Sequence, residues 1–133
     1  MLRRLAGVLA LGISVSAVLA LTVDASTTIA INSATVPGHA NKSIVVHITY
    51  ACDAASGVKN LDLQATDTAS SARGNAHQPA SCDGVSRAAD VTVDTITRAL
   101  YNGGDQVRIR ASFADAGDKP VGNVSQERVV TAQ

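Results

Sequence analysis

Apolar and polar residues alternate along most of the chain after residue 27, which is the pattern of half-buried β-strands. The clearest run is 106–114, where the apolar positions begin with Val107 and Ile109 and the polar positions are Arg108, Arg110 and Ser112. The same period of two occurs in three other runs, at 43–50, 60–67 and 89–94, and shorter candidate strands lie at 28–32 and 126–131. The pattern therefore predicts a chain built mainly from β-strands.

Turn-forming residues separate these runs, and no segment after residue 27 has the spacing of an amphipathic helix. The turn signals lie at 37–38, 54–57, 102–105 and 116–120. Short strands at this spacing predict one all-β domain, an antiparallel sandwich of about seven strands. The segment 68–80 is rich in Ser, Ala and Gly. We expect it to form a long connection with at most a short edge strand near 78–81.

The N-terminus has the pattern of an export signal. Arg3 and Arg4 precede an apolar run at 5–23, and small residues follow. We expect a signal peptide helix over 1–25, cleaved after Ala25 or, as the second choice, after Ala20. The mature domain is then 26–133, and it is secreted. The alternative is an uncleaved signal that anchors the chain in a membrane.

Cys52 and Cys82 are the only cysteines of the chain. In an exported protein a single pair predicts a structural disulfide. Cys52 follows the 43–50 strand, and Cys82 follows the 68–80 segment. We therefore expect the bond to tie the end of one strand to the far end of that connection and to limit the freedom of the unfolded chain.

Composition excludes several classes of function. The 133 residues carry 11 basic and 11 acidic side chains, so the formal net charge is zero. A neutral chain offers no electrostatic attraction to nucleic acid or to an anionic membrane surface. Tryptophan is absent and only three residues are aromatic. We expect a core built from small aliphatic side chains, with the disulfide compensating for its limited buried area.

Catalytic and metal-binding patterns are not recognisable in the sequence. It lacks a Gly-x-Ser-x-Gly elbow, it has Glu127 as its one glutamate, and its histidines do not have metal-ligand spacing. We expect no enzyme activity, no cofactor and no metal. Most aspartates lie in turns, where they bond to the backbone. The alternative role for two of them, Asp115 and Asp118, is to bind calcium.

Candidate binding residues are Tyr101, Arg108 and Arg110. Tyr101 stands beside the Asn-Gly-Gly turn, and an exposed tyrosine there is a candidate hot spot. Arg108 and Arg110 share one face of a strand, where they form either a solvated surface or a small patch for an acidic partner.

Two fragments resemble bacterial Ig-like domains. In Ser56–Leu61 a turn feeds a strand, and in Gly104–Ala111 a turn glycine precedes an alternating strand that continues to Asp115. The chain is also similar to small secreted actinobacterial proteins of unknown function, which share the pattern of a strand ending in Cys, a variable loop and a Cys-Asp-Gly turn. The resemblance implies an Ig-like fold and an extracellular location.

The function expected from these observations is non-enzymatic binding, with an extracellular protein or a cell-wall ligand as the partner. Loops at the ends of a β-sandwich are common binding sites. One alternative is a secreted inhibitor that presents the 68–80 loop to an extracellular protease or glycosidase. Another is a small hydrolase, which requires His, Ser and Asp side chains clustered in one pocket.

Overall fold

The computed structural model describes residues 27–133, and these residues form antiparallel β-sheets. The predicted signal peptide at 1–25 lies outside the described residues. Nine strands follow one another in this described part of the chain: β1 Thr28–Thr35, β2 Ala40–Asn41, β3 Ser43–Ala51, β4 Asn60–Asp67, β5 Arg73–Pro79, β6 Arg87–Asp94, β7 Tyr101–Asn102, β8 Gln106–Ala114 and β9 Pro120–Thr131. The all-β prediction is confirmed. Seven of these strands have seven or more residues, and β2 and β7 have two each.

The long strands form two sheets. One contains three strands in the order β1-β3-β6, and the other contains four in the order β5-β4-β8-β9. The short strands β2 and β7 pair with each other. In the described chain no helix is long and apolar enough to cross a membrane.

The two sheets share one core, which is made of the inward-facing side chains that the alternation predicts. The largest fully buried members include Ile44, Ile48, Leu61, Leu63, Ile109 and Phe113. The rings of Tyr50 and Phe113 meet edge to face, with centroids 6.2 Å apart. In β9, where the sequence left the inward position open, Val130 is buried and Val129 is 51% exposed. Burial of these aliphatic side chains is the main favourable contribution to folding.

The segment 68–80 is not a long loop, and the expectation of one is wrong. Its residues 73–79 form β5, which pairs with β4 from Thr66↔Arg73 to Asn60↔Pro79. A tight turn joins the two strands, because the buried Asp67 carboxylate accepts hydrogen bonds from the N–H groups of Ala69 and Ser70. The inward positions of β5 are small or polar residues, so the strand lacks the apolar alternation that marks its neighbours.

Backbone contacts close both sides of the two-sheet arrangement. On one side, Val36 N–H donates to the Gln133 carbonyl and Gln133 N–H donates to the Ala34 carbonyl, which joins the end of β1 to the C-terminus. On the other side, Gly74 of β5 bridges to Thr95, which follows β6. These contacts fix the edges of the four-stranded sheet and so hold its outer face in place.

Candidate functional site

The outer face of the four-stranded sheet carries an ordered array of polar side chains, which we call the polar face. Strand register arranges it in three rows that cross β5, β4, β8 and β9 in that order. The lower row is His77, Asp62, Ser112 and Ser125; the middle row is Asn75, Gln64, Arg110 and Glu127; the upper row is Arg73, Thr66, Arg108 and Val129. Eleven of these twelve side chains are polar, because alternate residues of each strand face solvent.

Arg108 and Arg110, the predicted basic pair, share one acidic partner on β9. The Arg110 guanidinium donates to Glu127 Oε1 from its Nη2 at 2.8 Å and its Nε at 3.2 Å. The Arg108 Nε lies 3.5 Å from Glu127 Oε2. The hydrogen bond from Arg110, followed by the charges of both guanidinium groups, holds the pKa of Glu127 below its ordinary value. All three side chains are largely exposed, so each pair contributes little to stability.

His77 lies between two aspartates in the lower row. The His77 Nδ1 is 2.5 Å from Asp62 Oδ1 on β4, and the His77 Nε2 is 3.4 Å from Asp118 Oδ1. His77 therefore connects β5 both to its neighbouring strand and to the loop between β8 and β9. The sequence did not associate these three side chains, because they are brought together by strand register and by a loop that folds over the sheet end.

The polar face is shallowly grooved around Gln64. Gln64 lines three adjoining depressions. Arg73 and Ile96 also line the first, and His77 and Asp118 also line the second. The third is lined by Arg108, Arg110 and Glu127 as well. Ile96 is 68% exposed beside Arg73. Among residues 27–133, no acidic side chain lies within ion-pair distance of Arg73. Arg73 is therefore a cation available to a partner, and it was not predicted as a candidate because β5 was not recognised as a strand.

The predicted disulfide between Cys52 and Cys82 is present. The Cα atoms are 4.6 Å apart, within the range that a disulfide spans without backbone movement. The bond joins the residue after β3 to the connection between β5 and β6. It therefore ties the end of β3 to the connection that leads from β5 to β6, and the 68–80 segment that it was expected to restrain is largely the strand β5. The Cys52 side chain is fully buried, which removes it from surface chemistry.

Tyr101 is not an exposed contact residue, and its assignment as a binding candidate is corrected. Its exposed fraction is 0%, because β7 turns the ring into the core between the sheets. Among the described residues its hydroxyl has no hydrogen-bond partner. Burial, with a smaller contribution from Asp94 and Asp67, raises the pKa of Tyr101 to about 12. The residue therefore acts in packing.

The outer face of the three-stranded sheet carries a different arrangement, a chain of hydrogen bonds through His47. Its Nδ1 lies 2.7 Å from Asp90 Oδ1, and its Nε2 lies 3.0 Å from Thr35 Oγ1. An acid, an imidazole and a hydroxyl in this order have the connectivity of a nucleophile triad. The Asp90 side chain is 71% exposed on an open sheet surface, however, and this exposure lets water screen the charge that orients the imidazole.

Asp115, a candidate for calcium, is instead bonded to its own loop. Its Oδ1 accepts from the N–H groups of Lys119 and Gly117, and these bonds, the one from Lys119 first, hold the pKa of Asp115 below the ordinary value. Asp118 points to His77. Across residues 27–133, no three His, Cys, Asp or Glu side chains are grouped so that they could hold a metal ion.

No known protein family matches the chain, and no curated protein is significantly similar to it. The geometry of the polar face is therefore the observation from which a function can be argued.

Proposed function

We propose that this chain is an exported, non-enzymatic binding module with an Ig-like β-sandwich, and that it binds through the polar face. The strand order supports the Ig-like assignment. The first, second and fifth of the seven long strands share one sheet, and the third, sixth and seventh share the other, as in Ig-like domains. The fourth long strand, β5, pairs with β4, which makes the four-stranded sheet wider than the three-stranded one.

Export is supported by two separate features. The basic and then apolar start of the chain is the pattern of a secretory signal. The Cys52–Cys82 disulfide is of the kind that persists in oxidising compartments. We therefore place the partner, an extracellular protein or a cell-wall ligand, outside the cytoplasm.

The single observation that carries the binding role is that Arg73, which has no acidic side chain within ion-pair distance in the described part of the chain, lies beside Gln64 and the exposed Ile96. The Arg73 cation, the amide groups of Gln64 and Asn75, and the aliphatic Ile96 side chain lie at one groove and together provide charge, directional hydrogen bonds and apolar contact. This combination is typical of a recognition surface. The polar face lies on paired strands, so its backbone loses little conformational entropy on binding.

The two alternative functions are less well supported. The inhibitor hypothesis required a protruding loop over 68–80, and this segment is largely the paired strand β5. The hydrolase hypothesis required a catalytic group in a pocket, and the Thr35–His47–Asp90 chain lies on an open face. We therefore favour the binding module.

Direct binding measurements test the proposal. The purified protein is incubated with isolated cell-wall material and with extracellular protein fractions, and the retained fraction is compared with that of two variants. A Gln64→Ala/Arg73→Ala variant removes the two polar side chains of the groove beside Ile96, and a Thr92→Ala variant alters an exposed residue of β6 on the opposite sheet. We expect the first variant to lose binding and the second to keep it. Equal retention of all three proteins, or retention of none, contradicts the proposal.

A further inference from the structure

The two ends of the polar face carry charges of opposite sign. The upper row holds two cations, Arg73 and Arg108, and no acid. The lower row holds Asp62, and Asp118 lies against its His77. In the middle row the charges of Arg110 and Glu127 cancel. The face is therefore positive at one end of the strands and negative at the other, with a neutral centre.

Such a face is complementary to itself. Consider a two-fold axis that lies in the plane of the face, crosses the strands and runs along the middle row. It places the upper row of one copy over the lower row of the other, and the reverse. Arg73 of each copy then meets the side of the face that carries Asp118, and Arg108 approaches Asp62. The other in-plane axis, parallel to the strands, places the upper row of one copy over the upper row of the other, so that positive end meets positive end, and it is disfavoured.

The middle row is compatible with this two-fold axis. Gln64 and Asn75 each carry an amide that both donates and accepts, so each amide can bond to its counterpart across the axis. The axis places Arg110 over Arg110 and Glu127 over Glu127 of the second copy, and these four side chains alternate in charge when each guanidinium bonds to the Glu127 of the other copy as well as to its own. The centre of the face therefore has no net charge, and it favours self-association through these crossed Arg110–Glu127 pairs.

We propose that the partner recognised by the polar face is a second copy of this chain, bound face to face in a two-fold dimer held by opposite charges. The inference rests on the proposed function, in that it names the partner of the same face. Recognition between copies requires two features that the structure has on one surface: charge of both signs and a neutral centre on the axis.

The size of the face sets the strength of this dimer. Four strands about 4.8 Å apart and three rows about 6.7 Å apart give roughly 400 Å² on each copy. A total near 800 Å² is below the range of about 1,200–2,000 Å² that stable complexes bury. We therefore expect a weak dimer with a dissociation constant of about 0.1–1 mM, sensitive to salt because its contacts are exposed ion pairs.

Sedimentation equilibrium with charge-reversed variants tests the inference. The wild-type protein is examined from about 0.05 to 2 mM at low and at high ionic strength, alongside an Arg73→Glu/Arg108→Glu variant and an Asp62→Lys/Asp118→Lys variant. Each variant alone carries one sign at both ends of the face, so we expect each to lose at least about tenfold in self-affinity. Mixed together they are complementary at both ends, as two wild-type copies are, and we expect a heterodimer of similar affinity to the wild-type dimer.

Two further variants keep the test decisive. Because Asp62 bonds to His77, the lysine variant can unfold; an Asp62→Asn/Asp118→Asn variant keeps the side-chain shapes and is expected to weaken the dimer as well. A Lys42→Glu/Arg87→Glu variant makes the same change in net charge as the arginine variant, away from the polar face, and is expected to dimerise like wild type.

Three results overturn the inference: a monomer at every concentration in low salt, dimerisation that ignores the polar-face variants, or mixed variants that fail to associate. If the protein stays monomeric while the Gln64→Ala/Arg73→Ala variant still loses binding to an extracellular ligand, this inference fails and the proposed function stands. If neither self-association nor ligand binding depends on the polar face, both fail.

Discussion

Gly74 and Asp94 approach so closely that a Cβ atom on residue 74 would lie 1.9 Å from the Asp94 carbonyl oxygen. Gly74 is buried on β5, and Asp94 ends β6, so their contact joins the two sheets at one edge. The neighbouring backbone follows the same contact, because Ile96 N–H donates to the Arg73 carbonyl at 2.8 Å. Because residue 74 has no side chain, the two backbones approach closely enough to form this hydrogen bond, which keeps Arg73 beside Ile96 on the polar face.

Substitution of Gly74 by alanine is expected to destabilise the protein. The added methyl group must push apart backbone that is fixed on both sides, at a cost of roughly 2 kcal/mol or more in the free energy of unfolding. Gly103 provides the matched control, since a Cβ atom there would lie 3.7 Å from its nearest neighbours and its backbone is outside the left-handed region. Denaturant titration should show a large loss for Gly74→Ala and a loss below about 0.5 kcal/mol for Gly103→Ala. Equal losses would contradict this explanation.

The two tyrosines are expected to respond differently to removal of their hydroxyl groups. The Tyr101 hydroxyl is buried without a partner among the described residues, so Tyr101→Phe should cost nothing or stabilise the protein by up to about 1 kcal/mol. The Tyr50 hydroxyl accepts a 3.0 Å hydrogen bond from Ser81 N–H, so Tyr50→Phe should cost about 1 kcal/mol. Denaturant titration of both variants near pH 7 makes the comparison. A larger loss for Tyr101→Phe than for Tyr50→Phe would show that the Tyr101 hydroxyl is bonded.

Alkaline titration provides a second measurement on Tyr101. Burial raises its pKa to about 12 from the ordinary value of 10.0, so the folded state holds the proton more tightly than the unfolded state. Its contribution to stability is therefore complete below pH 10 and is lost as the pH rises toward 12. We expect the Tyr101→Phe variant to lose less stability than wild type over this interval. Absorbance of the phenolate should show one tyrosine in the wild type that ionises well above pH 10. A wild-type protein in which both tyrosines ionise near pH 10 would contradict the raised pKa of Tyr101.

Reduction of the disulfide is expected to lower stability substantially. The bond joins residues separated by 30 positions, and in the chain-entropy model a loop of this length contributes roughly 3–4 kcal/mol. Thermal unfolding with and without reductant measures the effect. A Cys52→Ala/Cys82→Ala variant should match the reduced protein and should not respond to reductant. Two reactive thiols in the denatured, unreduced protein would contradict the bond itself.

Asp67 and Asp105 are expected to affect stability with opposite signs near neutral pH. Contact with the Asp67 carboxylate, followed by burial, raises the pKa of Asp105. Its contribution is therefore favourable only when it is protonated, and is lost as the pH rises through its folded-state pKa. Asp105→Asn should raise the melting temperature at pH 7, and the gain should shrink as the pH falls below about 4.

The matched variant for that comparison is Asp67→Asn. Burial favours the protonated Asp67, but hydrogen bonds with Asp105 and from the N–H groups of Ser70, Asn102 and Ala69 outweigh burial and lower its pKa. Its stabilising contribution is therefore present above the unfolded-state value and is lost as the pH falls through the folded-state pKa. Asp67→Asn should lower the melting temperature at pH 7, and this loss should diminish in acid. A higher melting temperature for Asp67→Asn, or a lower one for Asp105→Asn, at pH 7 would contradict the lowered pKa of Asp67 and the raised pKa of Asp105.

The strands with strong alternation were predictable residue by residue. In 106–114 the inward positions Val107, Ile109, Ala111 and Phe113 are all buried, and Arg108 and Arg110 are exposed as expected. The strand β5 was not predictable in this way. Its inward positions at Gly74, Ala76 and Gln78 offer little apolar area, and it is ordered by pairing with β4 instead. Tyr101 was misplaced because a turn signal beside it indicates proximity to the surface, whereas its ring turns inward.

The amino-acid sequence by itself determined the local features of the structure. The period of two, the turn residues and the single cysteine pair establish the β-strands, the antiparallel class and the disulfide, because these depend on neighbouring residues and on residue type. The tertiary structure decided which strands are neighbours, and therefore which side chains meet. Register places Arg110 opposite Glu127 and Asp62 opposite His77, although each pair is distant in sequence. The polar face with its opposite charges arises from that register, since side-chain pairing across strands is set by the backbone hydrogen bonds of the whole sheet.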